Sequence, residues 1–84
     1  MTDKERRDAA VDRFAAVMKA RLDWAAEVKG HVGWDGEYPA AALRGEIADD
    51  ADAMARVDHE DKTVDIANRC MMLWHRDHRI EGVG

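Results

Sequence analysis

Apolar residues recur along this chain at steps of three and four. Val11, Phe14, Met18, Leu22 and Ala25 form the first series, a spacing that lines one face of an α-helix. "TDKE" opens it, with Thr2 placed to cap and Glu5 to complete a capping box. Gly30 suits the position just past its end. The loop "KGHVGWDGEYP" follows, punctuated by Gly30, Gly33 and Gly36, and Pro39 suits the first turn of a second helix. In that helix Leu43, Ile47, Met54 and Val57 form the apolar stripe. "DHED" restarts the chain, with Asp58 placed to cap and Asp61 at the third position. In the third helix Val64, Ala67, Met71 and Trp74 lie on one side, and Ile66, Cys70 and Leu73 on the other. The reading is all-α, with three helices at about residues 3–29, 39–57 and 59–78. They make one domain over 1–84, and the tail "EGVG" is expected to fray.

A helix with two apolar sides packs in the middle of something. A chain of 84 residues buries a limited fraction of its surface, and much of the apolar content here is alanine. With only two other helices available, a second copy of the chain is the expected cover.

The net charge of −5 argues against a nucleic-acid polymer as partner, because phosphate backbones are bound by clustered Lys and Arg. The acidity is concentrated. From Asp35 to Asp65 there are ten acids against three bases, which either solvates a surface or gathers a cation. Cys70 is the only cysteine, which rules out an intrachain disulfide and a cysteine zinc site and favours a reduced, cytoplasmic setting. No apolar run is long enough to cross a bilayer, and no signal peptide is evident, so no membrane partner is expected.

The acids have helical spacing. Glu46 and Asp49 are three apart, Asp50 falls inside the apolar stripe, and Asp61, Asp65 and Asn68 recur at four and three on the third helix. A short turn makes helices two and three antiparallel, so the two acidic faces can confront each other. Carboxylates held together and desolvated take up protons unless a cation is present, and hard oxygen ligands suit Mg²⁺ or Mn²⁺. The alternative is a set of solvated helix acids.

"LRGEIADDADAM", then "KTVDIANRCMML", resembles the MazG-like and dUTPase-like all-α nucleoside triphosphate pyrophosphohydrolases. The family pattern is ExxE, a gap, then ExxD. Here it reads Glu46-x-x-Asp49, a gap of twelve, then Lys62-x-x-Asp65. The likeness is to small phage and bacterial members. Phe14, Met18 and Leu22 match their leading helix, Lys29, Gly30 and Trp34 their loop, and "DIANRCMM" their ending. It covers roughly Phe14 to Trp74. The resemblance implies a homo-dimer or tetramer with a four-helix-bundle-type core. It also implies a Mg²⁺-dependent conversion of (d)NTP and water to (d)NMP and pyrophosphate. Glu46, Asp49 and Asp65 match metal-ligand positions, and Asn68 matches the family's Asn. Glu46 or Asp49 would orient or deprotonate the attacking water.

Three positions depart from that pattern. Asp49 stands where Glu is usual, Asp50 where leucine is usual, and Lys62 where the third acid is expected. Asp61 or Asp50 can supply the missing ligand. Otherwise Lys62 contacts a substrate phosphate, or it neutralises the cluster through a salt bridge and leaves a protein that binds a nucleotide or a protein partner without turnover. Lys62 and Lys29 are candidate phosphate contacts, and Trp34 or His31 can stack on the base. Against these roles, Trp34 also reads as loop packing and Lys29 as a cation favoured by the helix dipole. His75 and His78 read as a solvated last turn, Cys70 as a small buried apolar residue, and Met71 and Met72 as core filler.

Overall fold

The computed structural model describes residues 1–30, 34–36, 38–56 and 60–78, and for residues 60 and 61 the backbone alone. It is all-helical over these residues. Helix α1 spans Asp3–Val28, α2 spans Ala40–Arg56 and α3 spans Glu60–His78.

The helix ends follow from local chemistry. Thr2 Oγ1 accepts from the Glu5 backbone N–H at 3.1 Å, and the Thr2 N–H donates to Glu5 Oε1 at 3.0 Å. This capping box satisfies two donors that a helix start leaves open. Hydrogen bonds from Thr2 hold the Glu5 carboxyl below its ordinary value. At the other end Lys29 is the C-cap, and Gly30 takes φ +67°, a left-handed conformation that costs glycine little. Pro39 precedes α2, and its carbonyl accepts from the Ala42 and Leu43 N–H groups. It therefore occupies the N-cap position, one residue before the expected first turn. The expected cap at Asp58, and Val57 of the α2 stripe, lie outside the described residues.

Helix α3 is the shared element. Both α1 and α2 pack against it, and not against each other. The α2 contacts pair Met54 with Thr63, Asp50 with Lys62 and Glu46 with Arg69. One number falls as the other rises, so the helices run antiparallel, as a short turn demands. The α1 contacts, Arg21 with Asp65 and Met18 with Asn68, run antiparallel in the same way. The molecule is an open V with α3 as its floor.

The buried apolar residues are few. Among the described residues only Leu43 and Val64 qualify, and α1 buries none. The accessible surface is 6409 Å², against about 5,000 Å² for a compact monomer of this mass. The radius of gyration is 14.6 Å, against about 12 Å for a compact domain of this length. The α1 stripe continues past its contact with α3 to Phe14 and Val11, which are 37% and 66% exposed.

One expectation fails on α3. Cys70 is exposed, not buried. It comes one residue after Arg69, which turns to α2, so the helical repeat carries it about 100° round α3 from that contact.

Candidate functional site

The inward acids meet bases. Asp50, 9% exposed, accepts from Lys62 Nζ through Oδ1 at 3.1 Å and from Arg69 Nη1 through Oδ2. Arg69 Nε also lies 3.2 Å from Glu46 Oε2. The other Glu46 oxygen accepts from the Tyr38 hydroxyl at 2.7 Å. Asp65 turns to α1, where Arg21 Nε and Nη2 donate to its two oxygens at 3.0 and 3.4 Å. All six oxygens of Glu46, Asp50 and Asp65 are thereby engaged. Three carboxylates are balanced by Lys62, Arg69 and Arg21.

The physical cause is helical geometry. Lys62, Asp65 and Arg69 recur at three and four, so they share one side of α3. That side meets α2 along one edge and α1 along the other. Asp50 in the apolar stripe of α2 is tolerable because a buried carboxylate with charge-assisted partners avoids most of the cost of an unpaired one.

Between the arms of the V lies a cleft of about 760 Å³. Arg21, Trp24 and Lys29 of α1 line one wall, and Glu46 and Leu43 of α2 the other. Asp65, Asn68, Arg69 and Met72 of α3 form the floor, with Trp34 and Tyr38 at the loop end. Trp24 holds two cations at the mouth. The Arg21 guanidinium lies 4.4 Å and the Lys29 ammonium 4.8 Å from its ring, a cation–π arrangement. Trp34 packs on His75 at 5.2 Å, and its carbonyl accepts from Arg76 Nε at 3.0 Å.

Asn68 is the most enclosed polar side chain of the floor, at 4% exposure. Its Nδ2 donates to the Met18 carbonyl at 3.2 Å, and its Oδ1 is buried without a protein partner. Such an acceptor is an exception among buried polar groups, most of which are hydrogen-bonded to protein or water.

Of the residues singled out from sequence, Glu46, Asp65, Asn68, Lys29 and Trp34 line the cleft together. Asp50 and Lys62 pair behind its α2 wall. Asp49 is exposed. His31 and the Asp61 side chain lie outside the described residues. The acidic faces of α2 and α3 do not confront each other, because Asp65 faces α1 while Lys62 and Arg69 face α2. His75, expected in a solvated turn, is partly covered by Trp34. Sequence reasoning missed Arg69, Arg21, Tyr38 and Trp24. Arg69 was open to detection, since it stands one turn after Asp65. Tyr38 carried no signal.

Comparison with protein-family models, curated proteins and solved structures finds no match.

The donor set was tested against the magnesium or manganese that the sequence pattern suggests. Among the described residues no group of three or more acids, histidines or cysteines converges. With all six oxygens of Glu46, Asp50 and Asp65 already taken, a divalent ion there would have to displace Lys62, Arg69 or Arg21. These three carboxylates as arranged do not fit the ion. The Tyr38 phenol is held above its ordinary value, chiefly because it donates to the Glu46 carboxylate and losing that proton would place two anions together. No helix among the described residues is long and apolar enough to cross a membrane.

Proposed function

We propose that this chain is a MazG-like helical protein that binds a nucleoside triphosphate in the cleft without metal-dependent turnover. One observation carries the reading. The cleft combines Lys29, set on the Trp24 ring, with the aromatic rings of Trp34 and Tyr38 at its loop end. Those groups suit a charged phosphate chain and a flat base respectively. Its volume lies in the range of small-molecule sites, about 300–1,000 Å³. Lys62 and Arg69 on Asp50 argue against turnover, because they supply the charge that a metal would otherwise bring.

A second reading, Mg²⁺-dependent pyrophosphohydrolysis of (d)NTPs, has one observation in its favour. Glu46, Asp65 and Asn68, which match the family positions, share one cleft. The assay that separates the two is tryptophan fluorescence titration with each (d)NTP, run beside pyrophosphate release with and without Mg²⁺ or Mn²⁺. Saturable quenching without pyrophosphate supports binding alone. Metal-dependent pyrophosphate, abolished by Asp65→Ala, transfers the conclusion to the enzyme. No quenching with any nucleotide removes both.

A homo-oligomer belongs to the same proposal. The excess surface and the uncovered Val11 and Phe14 support a second copy against α1. A four-helix core formed between copies, as dimer or tetramer, would supply the burial that one copy lacks.

A further inference from the structure

Asp50 lies behind the cleft wall rather than in it. We infer that Lys62 and Arg69 are built-in counter-ions that take the place of a divalent metal at the Glu46–Asp50 edge of α2. The inference touches the proposed cleft in that Glu46 and Arg69 belong to both. Two carboxylates bring two negative charges there. The Lys62 ammonium and the Arg69 guanidinium bring two positive ones.

The geometry matches the work a metal does. Arg69 bridges the two acids, with Nε toward Glu46 Oε2 at 3.2 Å and Nη1 toward Asp50 Oδ2. Lys62 takes the remaining Asp50 oxygen, and Tyr38 the remaining Glu46 oxygen. Arg69 and Lys62 both come from α3, so the pairing also clamps α2 to α3. Metal ligation across the same helices would do this too. An internal cation cannot diffuse away. The chain therefore closes this edge with no dependence on metal concentration, and it offers an incoming ion no free oxygen of Glu46 or Asp50.

The test uses metal alone, without nucleotide. Wild type, Lys62→Glu and Lys62→Met are melted by circular dichroism in EDTA, in Mn²⁺ and in NaCl of matched ionic strength. Mn²⁺ binding to wild type is also followed by calorimetry. Wild type should show no Mn²⁺-specific shift and no saturable heat. Lys62→Glu adds a carboxylate where the cation was, so it should melt lower in EDTA and gain about 5 °C or more in millimolar Mn²⁺. Lys62→Met loses the cation without gaining a ligand, and should melt lower with no Mn²⁺ response.

Saturable Mn²⁺ binding to wild type would overturn the inference. So would a Lys62→Glu protein, folded or unfolded, that answers Mn²⁺ no better than wild type. Wild-type Mn²⁺ binding with intact nucleotide quenching would remove the counter-ion inference and leave the cleft reading standing. The expected metal result with no nucleotide quenching would do the reverse.

Discussion

Lys62 Nζ sits 3.1 Å from Asp50 Oδ1, joining residues twelve apart across the α2–α3 contact. Each departs from the pattern of the family proposed for this chain, which has an acid at 62 and leucine at 50. The two departures are thus halves of one feature. Without Lys62, Asp50 would keep only Arg69, which it shares with Glu46. Together, with Arg69, they close a charge-balanced clamp.

That clamp predicts an ordering of stabilities. Asp50→Ala should cost about 1–2 kcal/mol, at the low end for a broken inward pair because Lys62 is itself over a third exposed and can reach water. Asp50→Leu with Lys62→Met should be close to neutral, since an apolar pair of similar volume avoids desolvating charge. Urea denaturation measures both. A double variant less stable than Asp50→Ala would show that the pair does more than balance charge.

Asn68 ties α3 to α1 through the Met18 carbonyl. Asn68→Ala should destabilise the chain by about 1 kcal/mol, the worth of one such hydrogen bond. It should also weaken nucleotide quenching, because Asn68 lines the cleft floor. A loss of stability with unchanged nucleotide affinity would confine Asn68 to a tether.

Tyr38 is the only tyrosine, so phenolate absorbance near 295 nm reports one group. Its midpoint should lie above the ordinary 10.0. Glu46→Gln should bring it back toward that value, because the acceptor loses its charge. The sign for stability follows. The folded value is raised, so the Tyr38–Glu46 contribution is present below pH 10.0 and is lost as pH rises through the folded value.

Light scattering should give a mass at least twice that of the 9.5 kDa chain. Phe14→Asp, placed on the uncovered part of the α1 stripe, should lower that mass toward one chain and reduce thermal stability. A monomeric wild type would leave this exposed stripe to some other partner.

The sequence by itself determined what short-range chemistry controls. The Thr2–Glu5 capping box, the Gly30 stop, the three helices and their antiparallel α2–α3 turn depend on contacts within a few residues or on simple periodicity. It also placed Asp50 on the inner side of α2. What it left undecided is which neighbour each inward acid meets. A helical repeat says that Asp65 and Lys62 share a side of α3. It does not say that this side is split between two helices, with Asp65 turned to Arg21 forty-four residues away and Lys62 turned to Asp50. Only the tertiary packing of α1 and α2 on opposite edges of α3 decided that. The result is acid against base, where an acid-against-acid face had been expected, because desolvated charge is stable only when its opposite arrives with it.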